Sequence, residues 1–389
     1  MDLINRFKFL KNINALLLVY IAIAVIAGLG EYLKGVKVFD GREYTHYNNF
    51  LIFKYTFFNL IEGGDIYALY PELFWDYFKY SPAFALLIAP LALMPDLIGL
   101  ILWNLLNALA LYYAIKWLPE TEEKARGFIL WFIALELLTS IQNAQSNGLM
   151  AGLLIFSFVF FERRNVLLAS LCIALSFYVK LFGIAAAVLF LLYPDKLKFI
   201  GYSIMWGIVL AVLPLLIISP GQLAFLYESW FNLLRSDLSA SYGLSLMGIL
   251  QSWFNFNPPK LLIFSIGTVL LMLPFLKKEF YENLAFRYLL LSSLLIWMVI
   301  FNHKAESPTY IIAVSGVGIW YFTQAKRTGH LILLGLAFLL TSLSPTDLFP
   351  RFLRREFISP YHLKALPCLL IWLKIQYDLL KLRNGVEIS

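Results

Sequence analysis

Long apolar blocks alternate with shorter polar stretches along the whole chain. The blocks fall near 14–30, 82–117, 127–142, 147–161, 165–179, 182–193, 199–219, 261–276, 284–301, 308–323, 329–343 and 362–380. A helix that crosses a hydrocarbon layer needs roughly 20 apolar residues, with 17–25 the common range. Several blocks are shorter, which is tolerated for tilted or re-entrant segments packed inside a bundle. A β-barrel would instead show alternating strands of about ten residues. The pattern therefore predicts an all-α fold, a polytopic membrane helix bundle of about 11–13 spans. No repeat, low-complexity tract or linker divides it, so residues 1–389 read as one membrane domain whose last span is 362–380.

The block 82–117 is too long for one straight crossing and is cut by Pro90 and Pro95. Basic loops decide how to count it. Lys116, Lys124, Arg126, Arg163, Arg164, Lys196, Lys198, Lys277, Lys278, Lys326 and Arg327 lie between blocks, and Lys381 and Arg383 follow the last. One crossing for 82–117 puts all of them on the side of the N-terminus, with its Arg6, Lys8 and Lys11. Short cytoplasmic loops carry such an excess, so both termini are expected in the cytoplasm. Three polar segments then face outward: 31–80, about 220–259 (with Tyr227, Glu228, Trp230, Arg235 and Asp237) and 344–361 (with Arg351, Arg354 and Arg355). The basic N-terminus resembles a signal peptide, but no small-residue cleavage pattern follows, and 14–30 reads as a retained first helix.

Composition closes off other classes. The 389 residues are 61% hydrophobic and only 14% charged, about half the charged share of a soluble domain, with mean hydropathy +0.76. A cytosolic enzyme, a nucleic-acid binder and a disordered scaffold are excluded. The net charge of +7 reports orientation rather than a nucleic-acid partner. Cys172 and Cys368 both lie in apolar stretches, so neither a disulfide framework nor a metal site is expected, and no cofactor is called for.

The chemistry gathers in 31–80. It carries Glu31, Asp40, Glu43, Glu62, Asp65, Glu72 and Asp76, together with His46 and Lys79. Residues 48–61, NNFLIFKYTFFNLI, preceded by Tyr47, are aromatic and amphipathic, which predicts an interfacial helix, stopped by Gly63-Gly64. An ordered acidic loop pressed on a membrane can hold a carboxylate over a lipid-borne substrate. The bland alternative is a solvated loop with aromatic anchors.

The run 65–95, DIYALYPELFWDYFKYSPAFALLIAPLALMP, resembles the signature of glycosyltransferase family 87. Asp65-Ile66-Tyr67 is similar to the family's first element and Lys79-Tyr80-Ser81-Pro82 to its second, with Ser81 in place of a Pro. Ala85-Leu86-Leu87, Pro90-Leu91 and Met94-Pro95 match the third. Trp103-Asn104, the turn Gln142 to Asn147, and the Ala-rich helix from Ala169 to Lys180 continue the likeness, over about 40–200 and more thinly to about 310. The resemblance implies a bundle of the C-type glycosyltransferase kind, with interfacial helices in the first outer loop. It implies an inverting hexosyltransferase of a bacterial plasma membrane, with a polyprenyl-phosphate sugar, such as mannose, as donor and a lipid or glycan as acceptor on the outer face. It also implies an acidic base in the first outer loop. The family's Asp-Phe about sixteen residues before Asp-x-Tyr falls here on Asn49-Phe50, and an amide is no base. The catalytic candidates are therefore Asp40, Glu43 and Asp65.

Such an enzyme needs cations for the departing lipid phosphate. Lys180 interrupts an apolar segment, and Asn302-His303-Lys304-Ala305-Glu306-Ser307-Pro308 places three ionisable groups at a helix end; charges there are often functional. Lys180, His303, Lys304 and Lys79 are the phosphate candidates. His46, Tyr67, Tyr80, Gln142, Asn143 and Glu306 are the candidates for substrate hydroxyls. Gln142, Asn143, Gln145 and Asn147 have helix capping as their bland alternative, Lys180 has snorkelling to the lipid headgroups, and Glu136 calls for a polar partner across the bundle. Two other readings compete. A lipid or sugar transporter or flippase would show repeated halves with mid-membrane charges. A polysaccharide polymerase or ligase would carry its large outer loop late in the chain.

Overall fold

A computed structural model describes residues 12–237, 241–257, 259–325 and 327–382, with the side chain of Asp237 excepted. The expected basic residues Arg6, Lys8, Lys11, Lys326 and Arg383 lie outside the described residues. The chain is 74% helical, the all-α bundle that the hydropathy blocks require.

Asn12 caps the first helix, α1 (Ile13–Leu33), by accepting from Asn14 N at 2.9 Å. A hairpin of β1 (Val36–Phe39) and β2 (Arg42–Thr45) follows, paired with Val36 opposite Thr45 and Phe39 opposite Arg42. No strand is expected from the hydropathy pattern. The hairpin is set by Asp40-Gly41, both at positive φ (51° and 75°), as a two-residue primed turn requires. Lys37 over the Trp75 ring at 3.9 Å and Tyr44 Oη donating to Pro71 O at 2.9 Å fasten it to the chain ahead.

The helix expected over 48–61 forms as α2 (Asn48–Ile61) and stops at Gly63, whose φ is +80°. Phe50 and Phe53 are buried in the main apolar cluster, which runs from Ile13 to Leu379. The block 82–117 resolves into two short pieces, α3 (Pro82–Leu87) and α4 (Ala89–Ala92), and one long helix, α5 (Asp96–Lys116). Only α5 has the length to cross a membrane, so the prolines end an approach and do not split a span in two.

The helices α6 (Glu123–Gln142), α7 (Asn147–Glu162) and α8 (Val166–Val179) follow. A 3-10 helix over Leu181–Leu192 leads to α9 (Lys196–Val212). Helices α10 (Pro220–Asp237) and α11 (Leu246–Phe254) precede α12 (Lys260–Met272), α13 (Leu284–Ile300) and α14 (Tyr310–Thr323). The chain closes with α15 (Thr328–Leu336), a π-helical stretch over Ala337–Leu343, a short α16 (Arg351–Leu353) and α17 (Leu366–Lys381). Helix α1 packs on α5 and α6, α5 on α7, and α13 on α14 and α17. Among the described residues four helices are long and apolar enough to cross a membrane, and six apolar helices are shorter.

Charge sorts the bundle into two ends. Lys116 and Arg163 lie at the C-terminal ends of α5 and α7. There Lys116 Nζ donates to Asn14 Oδ1 at 3.1 Å, Arg126 Nη1 to Lys116 O at 3.0 Å, and Arg287 pairs with Glu162 at 2.6 Å. A helix of 21 residues spans about 30 Å. The other end of α5 holds Asp96, paired with Lys54 of α2 at 2.6 Å. The segment 31–80 therefore packs at the end of the bundle opposite Lys116 and Arg163.

Candidate functional site

The second signature element is a helix start. Ser81 caps α3, accepting from Phe84 N at 3.2 Å, and Pro82 occupies the first turn; both residues suit those positions. Ser81 Oγ also donates to Tyr178 O at 2.6 Å. This bond ties Lys79-Tyr80 to the end of α8, where Lys180 leaves the helix in an extended conformation (φ −144°). Behind the wall, Tyr67 Oη donates to Tyr80 O at 2.9 Å, and Trp230 Nε1 donates to Lys79 O at 3.2 Å.

These elements enclose a polar cavity of about 320 Å³. Its cations are Lys79, Lys180 and Lys304, its acids Asp76 and Glu306, and its amides Asn49, Gln145 and Asn302, with Phe53, Tyr77, Tyr80 and Phe182 as aromatic walls. A chain of hydrogen bonds runs along one side. Lys180 Nζ donates to Asn147 Oδ1 at 2.7 Å, Asn147 Nδ2 to Gln145 Oε1 at 2.6 Å, and Gln145 Nε2 to Glu306 Oε2 at 2.7 Å. Trp103 Nε1 donates to Ala144 O at 2.8 Å and holds this turn against the bundle.

Glu306 is fixed a second time. It caps the turn Ser307–Thr309, its carboxylate accepting from Thr309 N while its own N–H donates to Thr309 Oγ1 at 3.3 Å. Asp76 has φ +83° and pairs with Lys79 at 3.2 Å. A non-glycine residue held there is uncommon and is a feature of functional sites. Burial pulls the Lys180 ammonium down to about 8; Glu306 acts against this and Lys79 adds to it. Burial also pushes the Tyr80 phenol upward, so Tyr80 is a neutral hydroxyl, 3.1 Å from Ser146 Oγ.

An apolar groove of about 570 Å³ adjoins the cavity. Phe182 and Asn302 line both, and Phe264, Trp297, Phe301 and His303 continue the groove along α12 and α13.

The sequence candidates separate in space. Lys79, Tyr80, Lys180, Lys304 and Glu306 meet in the cavity, and His303 lines the groove beside it. Asp40 sits in the exposed hairpin turn and Glu43 on exposed β2; neither lines the cavity. His46 lies in the turn between β2 and α2. Asp65 accepts from Tyr67 N at 3.0 Å and from Ser229 Oγ at 3.0 and 2.8 Å. With Tyr67 it forms the support behind Tyr80. Gln142 is exposed at the end of α6, and Asn143 offers its carbonyl to Asn49 Nδ2 at 2.7 Å. Glu136 finds its partner in Lys364, at 2.7 Å. Asp76, one of the acids of 31–80, was not among the site candidates, and Lys79 three residues on is the signal that marks it. Asn49, where the resemblance expects an Asp, faces the same cavity.

No curated protein matches the chain. The model of Glycosyltransferase family 87 matches residues 78–301, more than half of its length. The match takes in Lys79-Tyr80, the turn 142–147 and Lys180. With the apolar helices and the cavity between them, it identifies the chain as a member of glycosyltransferase family 87, a membrane glycosyltransferase.

Proposed function

We propose that the chain transfers a hexose, such as mannose, from a polyprenyl-phosphate donor to a lipid or glycan hydroxyl at the outer face of the plasma membrane. The observation that carries this is the shared wall at Phe182 and Asn302. An amphipathic donor needs an apolar channel for its tail, continuous with a cationic pocket for its phosphate. The tail lies along Phe264, Trp297 and Phe301, and the phosphate meets Lys180, Lys304 and Lys79, with His303 at the join. Lysine serves as a point-charge partner for phosphate, and fixed cations in a partly dry site stabilise the charge that grows on the leaving group. Tyr80, Gln145 and Asn302 offer hydrogen bonds to the sugar.

The transfer is a direct displacement with inversion, in which one carboxylate takes the acceptor proton. Asp76 and Glu306 are the carboxylates of the cavity and fill that role ahead of Asp40, Glu43 and Asp65. The sidedness is supported by the basic residues at the opposite end of α5 and α7, which puts both termini in the cytoplasm.

The test is incubation of the purified protein with radiolabelled polyprenyl-phosphate mannose and glucose in the presence of membrane glycolipids. The expected result is labelled product with release of polyprenyl phosphate. If no polyprenyl-phosphate hexose loses its sugar, the reading is overturned.

A further inference from the structure

Beside the first cavity lies a second polar one of about 610 Å³, lined by Tyr242, Gln251, Lys260, Ser307 and His362, with Glu306 in the wall that it shares with the first. We propose that this second cavity holds the acceptor, as a sugar ring with a free hydroxyl, and that Glu306 is the base that takes the proton from that hydroxyl. The chemistry rests on the transferase reading above; the location rests on geometry.

Charge distinguishes the two cavities. The first gathers three lysines against two acids, which suits a phosphate. Among the described residues, the second has Lys260 and Glu306 as its charged lining groups besides the titratable His362. Its remaining polar lining is hydroxyl, amide and imidazole, groups that both donate and accept. Burial lowers the His362 imidazole below its usual range, so it is neutral at pH 7. A neutral, multiply hydroxylated ring fits such a wall, with the Tyr242 ring as its aromatic face and Lys260 Nζ 5.3 Å from that ring.

The wall between the cavities is built tightly. Gly243 has φ +56°, and a Cβ there would stand 2.6 Å from His303 O and 2.8 Å from Ala305 O. Leu244 N donates to Ala305 O at 2.7 Å, and Tyr310 Oη donates to Leu244 O at 2.8 Å. The segment that floors the second cavity is thus bonded to the loop that carries Lys304 and Glu306 into the first. His362, also at positive φ (+52°), lines the same cavity.

A transferase must bring two substrates to one carboxylate, and Glu306 borders both cavities. The acceptor oxygen attacks the anomeric carbon and a new C–O bond forms. The bond from that carbon to the phosphate oxygen breaks, and its electron pair leaves with the lipid phosphate. The hydroxyl proton goes to Glu306.

The experiment uses Gln251→Cys in the full chain. Cys172 and Cys368 are buried, so a polar maleimide reports on position 251 alone. Methyl and octyl hexosides are added as acceptor probes, and polyprenyl phosphate as a donor probe. Hexosides are expected to slow labelling while polyprenyl phosphate does not. Protection by octyl hexosides alone assigns a lipid-linked acceptor, and protection by methyl hexosides too assigns a free glycan. Protection by polyprenyl phosphate instead, or by no probe, overturns the proposal. In the same protein background, His362→Asn, an exchange the left-handed backbone tolerates, is expected to raise the KM for octyl hexoside about tenfold through a lost hydrogen bond, with the donor KM unchanged. Hexoside protection without transfer from any polyprenyl-phosphate hexose would keep this cavity as a sugar site and remove the transferase reading. Transfer without protection would do the reverse.

Discussion

Lys180 and Asn147 meet where α8 ends and α7 begins, with Lys180 Nζ 2.7 Å from Asn147 Oδ1. That bond starts the chain through Gln145 to Glu306, so the cation proposed for the leaving phosphate and the carboxylate proposed for the acceptor share one scaffold. Hydrogen-bonded chains of this kind fix side chains that would otherwise sample several rotamers. Asn147→Leu, which keeps the branched shape and removes both bonds, is expected to lower kcat by up to roughly a hundredfold, the effect of an angstrom-scale misplacement. Steady-state assays with donor and acceptor varied in turn should show both KM values raised. A change in the donor KM alone would mean that the chain couples nothing.

The pH dependence follows from the same lysine. Its ammonium is held down to about 8 by burial, so it is charged at pH 7 and loses its proton as pH rises past that value. Bound phosphate favours the charged form. The donor KM is therefore flat below pH 7 and climbs above pH 8. Lys180→Arg stays charged throughout and should give a flat profile, and Lys180→Met should give a raised and equally flat one. Identical profiles for the native protein and Lys180→Arg would remove Lys180 from phosphate binding.

The base can be located by a panel of isosteric changes. Glu306→Gln keeps an acceptor for Thr309 N and so preserves the cap, while removing the base; transfer should fall by roughly 10²–10⁴ with folding intact. Asp76→Asn tolerates the positive φ and loses the pairing with Lys79, so its main effect should be on KM. Asp40→Asn and Glu43→Gln lie on an exposed hairpin, where changes in stability stay within about 0.5 kcal/mol, and transfer should stay near the native rate. Retention of full activity by Glu306→Gln, with loss in any of Asp40→Asn, Glu43→Gln or Asp65→Asn, would return the base to the segment 31–80.

The parts of this site that follow local rules were legible in the sequence. Ser81-Pro82 is a helix start, Gly63 a helix stop, and 48–61 an amphipathic helix, and each forms where its residue types require. Lys180 and the 302–308 turn stood out because charge is costly in an apolar block. Other assignments depended on signals of a different kind. Asp-Gly at 40–41 is a hairpin signature, so Asp40 could have been read as a turn residue. Asp65 two residues before Tyr67 has the spacing of a side-chain turn. Asp76 had no comparable signal: its positive φ lies in an irregular stretch where Asn48 Nδ2 holds Trp75 O and Phe78 is buried, and no motif marks that conformation. The two polar cavities meeting at Glu306 join segments from about sixty to more than two hundred residues apart, which no local pattern relates.

One such long-range pair gives the last prediction. Lys364 Nζ lies 2.7 Å from Glu136 Oε1 and 2.9 Å from Ser307 Oγ, with both charged side chains buried. Removing one partner of a buried pair strands the other charge and costs about 3–5 kcal/mol. Lys364→Met should therefore lower the Tm of the detergent-solubilised protein sharply. Replacing the pair together, Glu136→Leu with Lys364→Met, removes the stranded charge, so most of that Tm should return. Transfer should not return with it, because Ser307 adjoins Glu306 and loses the ammonium that holds it. A Lys364→Met variant as stable as the double replacement would show that Glu136 is satisfied by another group. A double variant with native transfer would show that Ser307 needs no anchor.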